Sequence, residues 1–127
     1  MPGPGNELLG AEELREVTQV IKSGHLFRYG DLHDPNYMRK VYTFEQELAQ
    51  RCRVRHALAV TSGSAALICA LKAVDLQPGD EVIVPAYTFI ATYSAIIFCG
   101  GIPVLTEIDE SLHIDPHDID KRITAKT

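Results

Sequence analysis

Ala59-Val60-Thr61-Ser62-Gly63-Ser64-Ala65-Ala66 passes from an apolar run through hydroxylated residues and one glycine into alanines. It reads as a strand, His56–Val60, leading straight into a helix, Ser64–Val74, with apolar positions at Leu67, Ile68, Leu71 and Val74. A helix start carries N–H groups without intrahelical partners, aligned with the helix dipole. At the carboxyl end of a parallel strand they make an anion site. Gly63 lets a phosphate approach the backbone, and the hydroxyls of Ser62 and Ser64 add donors. The same turn is equally an ordinary serine N-cap on a core helix, and these residues alone leave both readings open. The chain has no Gly-x-Gly-x-x-Gly and no Gly-Lys-Ser/Thr, so the implied anion is a phosphate monoester rather than a pyrophosphate or triphosphate.

Toward the C-terminus the pattern repeats. Gln77-Pro78-Gly79-Asp80 is a turn, Glu81–Pro85 a strand, Thr88–Phe98 a helix stopped by Gly100-Gly101, and Ile102–Ile108 a strand. Asp115 caps a last helix with Pro116 at its first position. Strands that are near-continuous apolar runs, alternating with helices, predict right-handed βαβ crossovers in a parallel sheet covered on both faces. Three such strands leave two raw edges, and the chain stops where another strand is expected, so it reads as the N-terminal part of something larger. Phe89 lies at the carboxyl end of the second strand, on the side of the Ser-Gly-Ser turn. There it serves either as a core residue or as a stacking face for a flat heteroaromatic ring held by the phosphate.

Toward the N-terminus, Thr43-Phe44-Glu45-Gln46 has the form of a capping box opening a helix that ends near Cys52. Arg51, Arg53 and Arg55 follow as a solvated edge. His25–Tyr42 lacks a period and reads as a long loop bearing Phe27, Tyr29, Tyr37 and Tyr42, a length that marks a functional or mobile segment. Ala11–Ser23 is an amphipathic helix with Leu14, Val17 and Ile21 on one face, Glu12 and Glu13 in its first turn and Gly24 as its stop. Residues 1–10 form a loose leader of glycine and proline, without the basic and apolar regions of a secretory signal.

The 127 residues are 46% hydrophobic and 23% charged, the balance of one globular domain. A net charge of −5 argues against neutralising nucleic-acid phosphates as the main task. No apolar run approaches the roughly 18 residues of a membrane-spanning helix. Cys52, Cys69 and Cys99 are odd in number and form no Cys-x-x-Cys pair, which predicts reduced, buried thiols and a cytoplasmic protein. His113 and His117 flank a helix-starting proline and share no helical face, so no metal site is expected.

Several linked stretches carry a resemblance: Thr61–Leu67, Pro78–Pro85, Tyr87-Thr88-Phe89-Ile90-Ala91-Thr92, Gly101-Ile102-Pro103-Val104 and Ile114-Asp115-Pro116. In this order and spacing the chain resembles the start of the DegT/DnrJ/EryC1/StrS family of sugar aminotransferases, densely from Phe44 onward. The resemblance implies an α/β fold, the N-terminal fragment of a three-layer fold-type-I large domain that binds pyridoxal 5′-phosphate (PLP). Residues 43–127 would be the first part of that domain, and 11–42 an N-terminal helix with a substrate-side loop.

By the same resemblance Ser62, Gly63, Ser64 and Ala65 form the phosphate-cradling turn, with serine at 64 where the family more often has threonine, and Phe89 stacks on the pyridine ring. Arg28 and Tyr29 lie where the family shapes the sugar end of its pocket, although the insert Leu32–Tyr37 departs from the shorter, glycine-rich form.

The family's Asp for the pyridine nitrogen and its Schiff-base Lys lie downstream of the matched region. Lys22, Lys40, Lys72, Lys121 and Lys126 match no Schiff-base position, and Lys72 reads as a snorkelling surface lysine. The resemblance implies a homodimeric enzyme moving an amino group from glutamate or glutamine to a nucleotide-linked keto-sugar or cyclitol, with these 127 residues alone inactive. A non-catalytic or regulatory binding module derived from the fold is the alternative. Another fold-type-I enzyme, such as a lyase or desulfurase, is disfavoured by Tyr87-Thr88-Phe89.

Overall fold

The computed structural model describes residues 5–127. The chain forms two compact units that divide between Ala59 and Val60. In the first unit, a short 3-10 turn (Asn6–Leu8) precedes α1 (Ala11–Ser23). The rest of the predicted leader, residues 1–4, lies outside the described residues. The amide of Gly10 donates to Glu13 Oε2 at 2.7 Å, satisfying one orphan donor at the start of α1 and holding that carboxyl below its ordinary pKa. Gly24 ends α1 at φ 74°, in the left-handed region that glycine enters without penalty.

The loop after α1 is more structured than its sequence suggests. Asp31 and Asp34 accept from the amides of His33 and Asn36 at 2.8 Å each, and His25 lies 3.1 Å from the Asp34 carboxylate. The Tyr37 hydroxyl donates to the Arg28 carbonyl. A Cβ on Gly30 would meet the Tyr37 ring at 2.6 Å, so only glycine fits there.

The next helix, α2, runs Lys40–Cys52 and corrects the expected capping box. The amide of Thr43 donates to the Arg39 carbonyl at 2.8 Å and is already inside an α-turn. Its hydroxyl therefore caps nothing, and Arg39 at φ 53° opens the helix without a side-chain cap. Lys40 in the added turn pairs with Glu16 of α1.

The second unit contains α3 (Gly63–Ala73), β1 (Glu81–Pro85), α4 (Ala91–Phe98), β2 (Ile102–Thr106) and α5 (Pro116–Arg122). The strands pair in parallel, Glu81 opposite Ile102 through Pro85 opposite Thr106. Leu76, Val84, Ile96 and Cys99 form the buried core, flanked by Ile68, Leu71, Val82 and Tyr93. Gly101 permits this packing, because a Cβ there would lie 2.9 Å from Leu76 Cδ2 and 3.0 Å from Ile96 Cγ2.

Several expected boundaries are corrected. His56–Val60 is not a strand: the amide of Ala59 donates to Glu45 Oε1 at 2.7 Å and its carbonyl accepts from Arg28 at 2.6 Å, so side chains take the groups a ladder would use. The sheet accordingly has two strands among the described residues, not three. α4 starts at Ala91 rather than Thr88, and β2 ends at Thr106, where the Glu107 amide turns to Asp118. Cys52 and Cys69 are exposed, contrary to expectation, while Cys99 is buried; all three are free thiols. Arg51, Arg53 and Arg55 are exposed, as a solvated edge requires. No described helix is long and apolar enough to cross a membrane.

Candidate functional site at the start of α3

Ser62 is the N-cap of α3, and its Oγ accepts from the Ala65 amide at 3.1 Å while the Ala66 amide donates to the Ser62 carbonyl. The Ala65 amide is thus engaged within the chain. The amides of Gly63 and Ser64 have no intramolecular acceptor among the described residues. The Ser64 side chain is exposed beside them, and the Ser62 hydroxyl keeps its proton for a second bond while accepting from Ala65. A Cβ built on Gly63 meets nothing within 4 Å, so the backbone is open to close approach. The first turn of α3 carries no acidic residue. Two outward amides, two hydroxyls and a helix dipole suit an anion.

Phe89 is 76% exposed, just ahead of α4. Its turn is tied to that helix: Thr88 Oγ1 and Thr92 Oγ1 are 3.0 Å apart, and the Tyr93 hydroxyl donates to the Thr88 carbonyl at 3.4 Å. α3 leads through a short turn into β1, and α4 into β2, so parallel strands require the two helices to point the same way. Their carboxyl ends meet, because Lys72 Nζ donates to the Cys99 carbonyl at 3.0 Å and Cys99 Sγ to the Ile68 carbonyl at 3.8 Å. From these contacts Gly63 stands about 14 Å back along α3 and Ala91 about 12 Å back along α4, at 1.5 Å per residue. The Ser62–Ser64 turn and the Phe89 turn therefore occupy one end of the second unit.

Arg28 and Tyr29 belong to the first unit. The Arg28 guanidinium bonds to Glu45 and to the Ala59 carbonyl, which occupies donors a substrate would otherwise meet. Tyr29 is 81% exposed and has Arg28 over its ring at 5.4 Å. Both line a cavity of about 190 Å³ with Tyr37 and Tyr42.

Three residues gain roles that spacing did not reveal. Glu45, 8% exposed, closes the bonds to Arg28 and Ala59. Asp118, 5% exposed, accepts from the Glu107 amide, the Thr106 hydroxyl and Arg122 Nε at 3.0, 3.0 and 3.1 Å. Lys72 is an exposed residue, but its ammonium does not simply reach into water as a snorkelling lysine's would: it donates to the carbonyl of Cys99, the residue that caps the end of α4. For Asp118 the sequence does hold a signal in its spacing to Lys121 and Arg122, three and four residues on along a helix. No group of three or more potential metal ligands exists among the described residues.

Residues 7–127 match the profile of the DegT/DnrJ/EryC1/StrS aminotransferase family. The spore coat polysaccharide biosynthesis protein SpsC of Bacillus subtilis is 43% identical over 121 residues, 94% of this chain and 29% of that protein. A GDP-perosamine synthase of Vibrio cholerae is 42% identical over 120 residues, again 94% of this chain and 30% of that protein. The PLP form of a putative sugar aminotransferase of Streptococcus pneumoniae superposes with a TM-score of 0.71 at 32% identity, covering 88% of this chain and 27% of that one. The chain thus spans about 30% of the length of the curated relatives it matches.

Proposed function

The chain belongs to the DegT/DnrJ/EryC1/StrS aminotransferase family, and from that premise we propose that it supplies the phosphate and ring contacts of a PLP-dependent sugar aminotransferase. The observation that carries this reading is the pair of outward amides at Gly63 and Ser64, with open space over Gly63. Those donors fit the phosphate of PLP, a monoester that takes several hydrogen bonds at once. The Ser64 hydroxyl and the remaining proton of Ser62 complete the cradle, while Ala65 helps through the cap that orients Ser62. Phe89, exposed at the same end, offers a face to the pyridine ring.

When bound, PLP supplies the electron sink that lets an amino group move between an amino acid and a keto group. This chain's residues hold the phosphate, orient the ring and shield one of its faces. None of the five lysines is assigned a proton-moving role. Lys40 is paired with Glu16, Lys72 with the Cys99 carbonyl and Lys121 with Asp118. With no lysine at a position that matches the family's Schiff-base residue, the 127 residues alone are proposed to bind PLP without transferring an amino group.

The proposed acceptor is a nucleotide-linked keto-sugar or related cyclitol and the donor glutamate or glutamine; the names of the polysaccharide-biosynthesis and GDP-perosamine relatives support a carbohydrate acceptor. Arg28 and Tyr29 are proposed for the sugar end of the pocket, on the strength of the tyrosine-lined cavity they share. A cytoplasmic setting and a homodimer are part of the same proposal, and the exposed apolar stripe Leu14, Val17 and Ile21 of α1 supports the association.

Titrating the chain with PLP and following its absorbance tests the cofactor reading. Saturable binding that inorganic phosphate displaces is expected. Binding that phosphate leaves untouched would place the cofactor elsewhere.

A further inference from the structure

We propose that Lys72 is a positioning residue for this site: its ammonium pins the carboxyl end of α4 to α3 and so holds Phe89 at a fixed reach from the Ser62–Ser64 turn. The inference rests on the cofactor reading above. α4 spans only Ala91–Phe98, has no side-chain cap at its start and no basic residue in its own last turn. Its terminal carbonyls lack a cation of their own, and Lys72 supplies one from the neighbouring helix by donating to the Cys99 carbonyl. Cys99, buried in the core, returns a thiol contact to the Ile68 carbonyl, one turn before Lys72. The helices are thus stitched at one end.

At the other end the Phe89 turn is bound to α4 through Thr88, Thr92 and Tyr93. Any slide or tilt of α4 therefore carries the ring of Phe89 with it. The phosphate turn belongs to α3 and does not move with α4. Lys72 consequently matters to a ligand that uses both features, and not to one that uses the turn alone.

Affinities of the whole chain for PLP and for inorganic phosphate are measured by calorimetry in the wild type, Lys72→Met and Lys72→Arg. The methionine keeps the apolar stem, and the arginine keeps a donor and the charge. Lys72→Met should weaken PLP about fivefold, the upper range of a surface charge at a helix end, with phosphate affinity unchanged. Lys72→Arg should restore PLP binding. Equal losses of PLP and phosphate, or no loss of either, overturn the positioning role.

Hydrogen exchange of the ligand-free chain reads the same device without cofactor. Amides of α4 should lose protection in Lys72→Met while those of α5 keep it; unchanged α4 protection counts against the stitch. A wild-type chain that binds neither ligand overturns the cofactor reading itself, a pattern distinct from a variant that alone fails.

Discussion

Gly63 is where the demands of folding and of binding separate. The space over it is empty and its backbone does not require a left-handed conformation, so the fold has no need of glycine there. The proposed phosphate cradle would need it, because a methyl group over the Gly63 amide would stand between donor and anion. Gly63→Ala is therefore expected to leave the melting temperature unchanged or slightly raised, since alanine reduces the freedom of the unfolded chain. PLP affinity should fall about tenfold, the worth of one charge-assisted hydrogen bond. Thermal unfolding and a PLP titration on the same preparation check both halves. A variant that melts earlier and binds normally would show that the glycine serves the fold. Gly30 and Gly101 are opposite cases, since each is crowded by neighbouring side chains.

Among the elements, α5 is tied to the end of β2 by one buried carboxylate, beside the Asp115 amide that donates to the Glu107 carbonyl at 3.0 Å. Pro116–Arg122 is short, and Asp118 within it reaches the end of β2 through the Thr106 hydroxyl and the Glu107 amide. The Glu107 amide is the largest cause holding the Asp118 carboxyl down, at a pKa of about 2; burial opposes it, and Thr106 and Arg122 add to the lowering. A depressed folded-state pKa means that the ionised group stabilises the native state above its unfolded value, near 3.9. That contribution is lost as pH falls through about 2. The urea midpoint of the wild type should consequently fall more steeply between pH 4 and pH 2 than that of Asp118→Asn. Parallel curves for the two would remove Asp118 from the acid response and leave it to Glu13, Glu16 and Asp109, whose carboxyls are also lowered by hydrogen bonds.

For the molecule as a whole, the buried core is small against the apolar surface left outside it. Phe89, Ile97, Phe98 and Leu105 of the second unit are all more than half exposed, as are Leu14, Val17 and Ile21 of the first. A cavity of about 310 Å³ lined by Leu67, Leu71, Val82, Val84 and Ile96 is almost wholly apolar. Apolar exposure of this extent favours dye binding and self-association of the chain in water. The 127-residue chain is expected to enhance the fluorescence of an apolar-surface dye under native conditions, and to sediment faster as its concentration rises. A dye-silent chain that stays monomeric at every concentration would contradict that expectation.

The residues of α1, α3 and β1 were legible within a position or so because local chemistry defines them: Gly10 and Gly24 bracket α1, Ser62 caps α3, and Pro78-Gly79-Asp80 turns the chain into β1. The Ser62–Ser64 turn was legible as a helix start for the same reason, since the cap and its small residues are contiguous in the chain. His56–Val60 shows where local reading ends. Its apolar run suits a strand, but a strand exists only when a neighbour takes its amides and carbonyls. At Ala59 that neighbour is the Arg28–Glu45 pair, supplied from a loop and a helix. Thr43 likewise had the pattern of a cap, and only the turn formed by Lys40–Tyr42 decided against it. The bonds made by Glu45, Lys72 and Asp118 were equally out of reach of composition and spacing. Each joins groups on different segments, and a hydrogen bond between distant residues depends on which surfaces packing brings together, a choice made by the tertiary structure alone.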